Sequence, residues 1–325
     1  MKKNILVTGG AGFIGSQITS DLIREKFKVF VLDNLSTGSK KLLHKNCIFK
    51  KLDINETKKI EKFFKKNKIK IVIHLAASLS VKESLNKPAE YFKNNCIGTN
   101  SLLTAFKNAG GKVFIFSSTC AVYGNVKTGK ISEKNLLSPI SNYARTKLIS
   151  EQMTKYFSSN FNFNYGILRY FNVVGSDYQN NIGCMYDIGQ LFKKLADVVL
   201  KKKSSFSIYG MNYDTKDKTA IRDYIHVKDL SQIHIKTLRK ILSTKKNISL
   251  NCGYGKGYSV LEVAKLFQKI TKTNFKIEYK KPRIGDCARM IADNSKLKRI
   301  LKFKPKYNNI SKMISDTISW EKLKI

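Results

Sequence analysis

Three stretches of this 325-residue chain carry side chains able to act together. Tyr143 and Lys147, in Tyr143-Ala144-Arg145-Thr146-Lys147, stand four apart, which on a helix puts a phenol and an ammonium on one face. A free phenol titrates near pH 10 (about) and is a poor base at neutrality. A nearby cation favours the phenolate, which can take the proton of an alcohol as hydride leaves the same carbon. Upstream, Phe116-Ser117-Ser118-Thr119 offers a cluster of hydroxyls. Near the N-terminus runs Thr8-Gly9-Gly10-Ala11-Gly12-Phe13-Ile14-Gly15. There Gly9 permits a tight turn, Gly12 lets backbone approach a pyrophosphate, and Gly15 lets helix pack on strand. The helix that starts at Phe13 and Ile14 would offer free N–H groups to the phosphates. Asp33 follows the next apolar run; a carboxylate there accepts from an adenosine ribose and repels a 2′-phosphate, favouring NAD over NADP.

Bringing these residues together requires strand ends that converge. Short β-rich runs at Asn4 to Thr8, Lys28 to Leu32, Cys47 to Leu52, Ile69 to Leu75, Lys112 to Phe116 and Asn164 to Leu168 alternate with amphipathic ones. The latter predict helices over Phe13 to Lys26, Thr57 to Lys66, Ala89 to Asn108 and Asn142 to Ser159. The expected fold is α/β: a Rossmann-like doubly wound parallel sheet with a smaller mixed α/β C-terminal substrate domain. The expected division is 1–171 plus 223–248 for the dinucleotide domain and 172–222 plus 249–325 for the substrate domain. In that sheet Ser117 and Thr119 end the fifth strand beside the crevice. Leu75-Ala76-Ala77 ends the fourth with small side chains, and Asp53-Ile54 follows the third, suited to an adenine ring or to capping a helix.

Composition narrows the classes. Hydrophobic residues are 42% of the chain, which excludes long disorder. The strongest apolar stretch, Ile69 to Ala77, is far shorter than the roughly 20 residues a bilayer needs. The N-terminus shows no signal-peptide pattern, so a cytoplasmic address is expected, with no membrane partner. The six cysteines form no C-x-x-C pair, and no metal site is expected. Net charge is +38, yet only eight of the 61 basic residues are Arg and the lysines are dispersed. Base readout favours Arg and clusters, so no nucleic-acid partner is expected; the field would draw in an acidic small substrate.

With the glycine turn, Tyr143 and Lys147 in hand, the chain resembles the extended short-chain dehydrogenase/reductases and, within them, the UDP-glucose (UDP-galactose) 4-epimerase family. The likeness runs nearly end to end. It is carried by Asn34-Leu35-Ser36-Thr37-Gly38, His74-Leu75-Ala76-Ala77, Asn94-Asn95-Cys96-Ile97-Gly98-Thr99, Ala121-Val122-Tyr123-Gly124, Arg169-Tyr170-Phe171-Asn172, Ala220-Ile221-Arg222-Asp223-Tyr224-Ile225-His226-Val227 and Arg283-Ile284-Gly285-Asp286. The resemblance implies NAD as cofactor, held by Gly9, Gly12, Phe13, Ile14, Gly15, Asp33, Asn34, Asp53, Ile54, Leu75, Ala76, Ala77, Asn94, Ser117, Tyr143, Lys147 and Tyr170. It implies a UDP-sugar whose 4-OH proton goes to Tyr143 while C4 hydride passes to NAD, giving a transient 4-keto intermediate that turns over and is reduced on its other face. Lys147 would tune Tyr143, Thr119 would hydrogen-bond the 4-oxygen, and Asn172, Tyr209, Arg222, Tyr224, Arg283 and Asp286 would hold the sugar nucleotide. A homodimer pairing the helices Ala89 to Asn108 and Asn142 to Ser159 across a two-fold axis is implied as well.

Some positions depart from the family pattern. Cys120-Ala121 stands where related 4,6-dehydratases carry an Asp-Glu pair, so dehydration lacks its carboxylates. Leu79 replaces a Lys found in some epimerases, and Gln190-Leu191-Phe192-Lys193 replaces the usual Asn-Leu-x-Pro stretch. Met290 aligns with the residue that gates sugar size; Met is intermediate and flexible, which leaves plain and N-acetylated hexoses both open. The alternatives are a UDP-N-acetylglucosamine 4-epimerase or another oxidoreductase of this superfamily and, from a different class, a non-catalytic dinucleotide sensor or nucleic-acid binder.

Overall fold

The computed structural model describes residues 3–126, 129–186, 190–283 and 286–324. The chain opens with β1 (Asn4–Thr8), α1 (Phe13–Arg24), β2 (Lys28–Asp33), β3 (Ile48–Lys51), α2 (Thr57–Lys66) and β4 (Ile71–His74). It continues through α3 (Val81–Asn86), α4 (Pro88–Tyr91), α5 (Gly98–Asn108), β5 (Val113–Thr119), α6 (Asn142–Phe161), β6 (Asn164–Tyr170) and β7 (Asn172–Val174). Beyond these lie α7 (Leu191–Val199), β8 (Ser205–Tyr209), β9 (Ile221–His226), α8 (Val227–Thr244) and β10 (Ile248–Cys252). The last elements are β11 (Gly257–Ser259), α9 (Val260–Thr271), β12 (Lys276–Lys280), β13 (Arg289–Met290), α10 (Ser295–Leu301) and α11 (Ile310–Leu323).

Seven strands form the main sheet in the order β10-β6-β5-β4-β1-β2-β3. The pairs β1–β2, β1–β4, β2–β3 and β4–β5 run parallel. This is the Rossmann-like α/β arrangement. Chain order reverses between β1 and β4, the position at which open sheets of this kind bind ligands beyond their strand ends. The inner strands β1, β2, β4 and β5 are largely apolar on both faces because helices cover both sides, whereas β3, at the edge, exposes Ile48, Lys50 and Lys51. Leu6, Phe30, Val72, Phe114 and Ile167 are all at most 1% exposed, each side chain worth about 1.5–3 kcal/mol of burial.

Contacts divide the chain into two units: residues 1–122, 141–169 and 231–250 in the first, and 123–140, 170–230 and 251–325 in the second. The sequence pattern set the edges elsewhere, at 171/172, 222/223 and 248/249, and did not separate 123–140. The second unit holds a four-stranded sheet in which β9 pairs with β11, β13 and β7, and a parallel ribbon of β8 and β12.

Differences from the sequence reading are local. The first helix stops at Arg24 rather than Lys26, because Lys26 takes a left-handed φ of 63°. The helix expected over Ala89 to Asn108 is interrupted by a π-helical stretch, Phe92–Ile97. Strands β5 and β6 run on to Thr119 and Tyr170. The seventh strand, Ile248–Cys252, was not foreseen.

Candidate active site

The first unit builds its site where β1, β2, β4 and β5 end. Gly9 leaves β1 with a φ of 69°, and a Cβ there would lie 2.7 Å from the Ala76 nitrogen, so the glycine turn and the Leu75–Ala76 backbone are in contact. At Gly15 a Cβ would meet the Gly9 carbonyl oxygen at 2.2 Å; only glycine lets α1 start this close to β1. Gly12 sits at the N-cap of α1 and supplies no side-chain cap, which leaves the N–H groups at Phe13 and Ile14 suited to an anion.

Asp33, at the end of β2, is buried, and its carboxylate accepts from the Ala11 N–H at 3.0 Å and the Leu35 N–H at 2.8 Å. Burial pushes its pKa above the ordinary carboxylate value while those N–H groups oppose the rise. Asn34 donates to Asp53 at 2.8 Å, and Asp53 also accepts from the Asn55 backbone and side chain. Asp53 therefore braces the loop after β2 rather than capping α2, whose N-cap is Glu56. Ile54 is buried against Gly98. An uncapped helix start, a glycine cradle and a buried acidic acceptor fit a dinucleotide.

Burial holds the Tyr143 phenol well above its ordinary pKa, and the Thr119 side chain, at the end of β5, counters that rise in part. Ser141 caps α6 by accepting from the Ala144 N–H, and the Tyr143 N–H donates to the Ser84 hydroxyl at 3.1 Å. The turn carrying the phenol is thus fixed at both ends. One turn on, Lys147 is buried and donates its ammonium to the Ser117 carbonyl at 2.8 Å. Desolvation pulls Lys147 down to about 8, opposed by Cys96 and Glu151. The sequence reading assigned Lys147 to lowering Tyr143; in this structure its ammonium is engaged with Ser117.

Of the other predicted residues, Asn94 donates to Ser78 at 3.1 Å. Its neighbour Asn95, which the sequence reading did not select, is the buried one. Its side chain accepts from the Ser78 N–H at 2.8 Å and donates to Thr146 at 3.0 Å, linking β4's end to α6. The π-helical stretch shifts the register, and an uninterrupted helical period could not reveal which Asn turns inward.

The second unit carries the residues expected to meet the sugar nucleotide. On β9, Arg222 and Tyr224 lie two apart and share a face. Arg222 approaches Asp286 at 3.4 Å, and Asn172 on β7 donates to the Asp223 carbonyl at 3.2 Å. The Arg283 guanidinium lies 3.9 Å from the Tyr209 ring centroid. Tyr170 is buried at the end of β6, and Met290 is buried on β13 opposite Arg222. Ile284 and Gly285 lie outside the described residues. The Tyr224 and Tyr213 hydroxyls are buried with no hydrogen-bond partner among the described residues. An orphaned buried hydroxyl costs about 1–3 kcal/mol unless a ligand satisfies it. Burial, and after it the charge of Asp286, raises the Tyr213 phenol while Arg222 and Arg283 oppose the rise; the sequence reading gave this residue no role.

A sheet with a dinucleotide turn after β1 and Thr119, Tyr143 and Lys147 at the end of β5 defines an extended short-chain dehydrogenase/reductase. More narrowly, the model of the NAD dependent epimerase/dehydratase family matches residues 5–253, and the chain belongs to that family. It is 37% identical over 306 residues to a UDP-glucose 4-epimerase of Rhizobium meliloti, covering 94% of this chain and 93% of the relative. Among solved structures, the UDP-glucose-4-epimerase of Stenotrophomonas maltophila, with bound NAD and formylated UDP-arabinopyranose, superposes with a TM-score of 0.95 at 31% identity, over 99% of this chain and 98% of that one. The UDP-Glc/GlcNAc 4-epimerase of Campylobacter jejuni gives 0.87 at 36% identity, over 99% of each chain.

Proposed function

We propose that this protein is an isomerase that interconverts UDP-glucose and UDP-galactose at C4 with NAD as its cofactor. The observation that carries the reading is the placement of Tyr143 and Lys147 one turn apart on α6 against the end of β5, where the Lys147 ammonium binds the Ser117 carbonyl and Thr119 acts on the phenol. When bound, NAD supplies the two-electron acceptor and donor that takes C4 of the sugar to a ketone and back. Gly12, Phe13 and Ile14 would hold its pyrophosphate, Asp33 its adenosine ribose, and Tyr143 and Lys147 its nicotinamide ribose.

Tyr143 is the proton carrier. Burial favours the neutral phenol, so the base form needs added positive charge, which oxidised NAD brings with it. Tyr143 then accepts the proton of the sugar 4-OH, Thr119 holds the 4-oxygen, and Tyr143 returns the proton after the ketone has presented its other face. Arg222 and Arg283 bind the diphosphate, for which guanidinium groups are well shaped. Tyr209 and Tyr224 line the nucleotide pocket, with Asn172 and Asp286 as polar contacts.

Two further parts belong to this reading. The working unit is a homodimer in the cytoplasm: Ile97, just before α5, and Tyr156, on α6, are 58% and 66% exposed, apolar side chains that pairing of these helices would cover. N-acetylated sugars are a second substrate reading, supported by Met290, whose unbranched side chain can shift to admit the larger group. Incubating the protein with UDP-glucose, UDP-galactose and their N-acetyl forms, and separating the products, tests both. Interconversion of the plain pair is expected without added reductant. No interconversion of any pair overturns the reading.

A further inference from the structure

Behind Tyr143 and Lys147 lies a buried charged cluster that the proposed roles leave unused. Glu151 is one turn beyond Lys147 on α6 and its side chain is fully buried. Its carboxylate accepts a fork from Arg169 on β6: Nε at 2.9 Å on one oxygen and a terminal nitrogen at 2.6 Å on the other. The first oxygen also accepts the Ser118 hydroxyl. Ser118 lies between Ser117, whose carbonyl takes the Lys147 ammonium, and Thr119, whose side chain acts on the Tyr143 phenol. A buried ion pair of this kind seldom stabilises a fold more than apolar residues of similar volume would, so its placement calls for another reason.

We propose that Glu151, clamped by Arg169, is the positioning residue for Lys147: through Ser118 it fixes the strand end that the ammonium addresses, and its charge keeps that ammonium a cation. This rests on the role given to Lys147 above.

The groups facing Lys147 leave little else to do so. From β4, His74 is hydrogen-bonded to Thr8 at 2.7 Å and Thr99 at 3.0 Å; burial, joined by Lys147 itself, pulls it down to about 3, so it is neutral. From the π-helical stretch, burial pushes the Cys96 thiol up to about 11, and it carries no charge at neutral pH. On α6 itself, burial holds the Tyr143 phenol protonated. From β6, Tyr165 is raised by burial and by Glu151, and Arg169 is a cation. Glu151 is the one carboxylate among them.

The test is the pH dependence of Lys147 acetylation by trace acetic anhydride, quantified by mass spectrometry in the purified full chain. In the unsubstituted protein the amine is expected to become reactive with a midpoint near 8. In Glu151→Gln the midpoint is expected to fall by about one pH unit or more, since a cation that loses its counter-charge in a buried site gives up its proton more readily. If that variant does not fold, the double variant E151Q/R169M, which leaves no guanidinium without its carboxylate, is expected to shift the same way. The alkaline limb of kcat/KM should move with it. An unshifted midpoint in either folded variant overturns the proposal. A shifted midpoint in a protein that epimerises nothing would retain it and overturn the functional reading instead.

Discussion

The Lys147 ammonium donates to the Ser117 carbonyl at 2.8 Å, so the turn of α6 that bears the cation is tied to the strand end that bears Thr119. Phenol, hydroxyl and cation are held by a helix and a strand rather than by a loop, and their spacing is set before any ligand arrives.

Tyr143→Phe removes the hydroxyl and keeps the ring. Turnover is expected to fall by about 10²–10⁴-fold, the usual worth of a positioned acid–base group, while NAD remains bound. Product assays alongside the NAD content of the purified variant check this. Undiminished turnover would refute the role.

Asp33→Ala deletes the acceptor of the Ala11 and Leu35 N–H groups and, on this account, of the ribose hydroxyls. NAD binding is expected to weaken by about 1–3 kcal/mol, and NADP binding much less, because the carboxylate no longer repels a 2′-phosphate. Calorimetric titration of both nucleotides decides it; equal losses would remove the argument.

Gly15→Ala forces a methyl against the Gly9 carbonyl oxygen at 2.2 Å and the Gly10 Cα at 2.8 Å. Overpacking against backbone is expected to cost about 1–3 kcal/mol of stability and to weaken NAD. At Gly12 the nearest atom would be 3.3 Å away, so Gly12→Ala should fold nearly normally yet still bind NAD poorly. Thermal unfolding and NAD affinity, measured for both variants, separate the two roles.

His74 is held neutral in the fold, pulled to about 3 by burial and by Lys147, against an unfolded value of 6.5. The unfolded chain binds the extra proton first, so this contribution to stability is complete above pH 6.5 and is lost as pH falls from there towards 3. Between pH 7.5 and 5.0 the loss from this one group is about 2 kcal/mol. Urea unfolding at the two pH values should show a smaller difference in His74→Asn than in the unsubstituted protein.

What could be read from the sequence was local. The glycine turn, Asp33, and the Tyr143–Lys147 pair declare themselves because their spacing and their place after an apolar run carry the meaning. Asn95 did not, since the π-helical stretch Phe92–Ile97 breaks the helical period that would have pointed it inward. Glu151 was not singled out and Arg169 stood only within the stretch Arg169-Tyr170-Phe171-Asn172; their fork exists only because β6 runs beside β5, which carries Ser118. The strand Ile248–Cys252 was hidden by its shortness and by the lysines before it. Tyr213 sits in a polar stretch, and the charges of Arg283 and Asp286 that its phenol feels come from far along the sequence.

The central claim is that C4 of the sugar is oxidised and then reduced on its other face by the same two electrons. UDP-galactose carrying deuterium at C4, incubated with the purified protein in ordinary water, tests it most directly. The account expects UDP-glucose that retains the deuterium at C4, with no net reduction of NAD. Product that has lost the label to solvent, or no product at all, would contradict it.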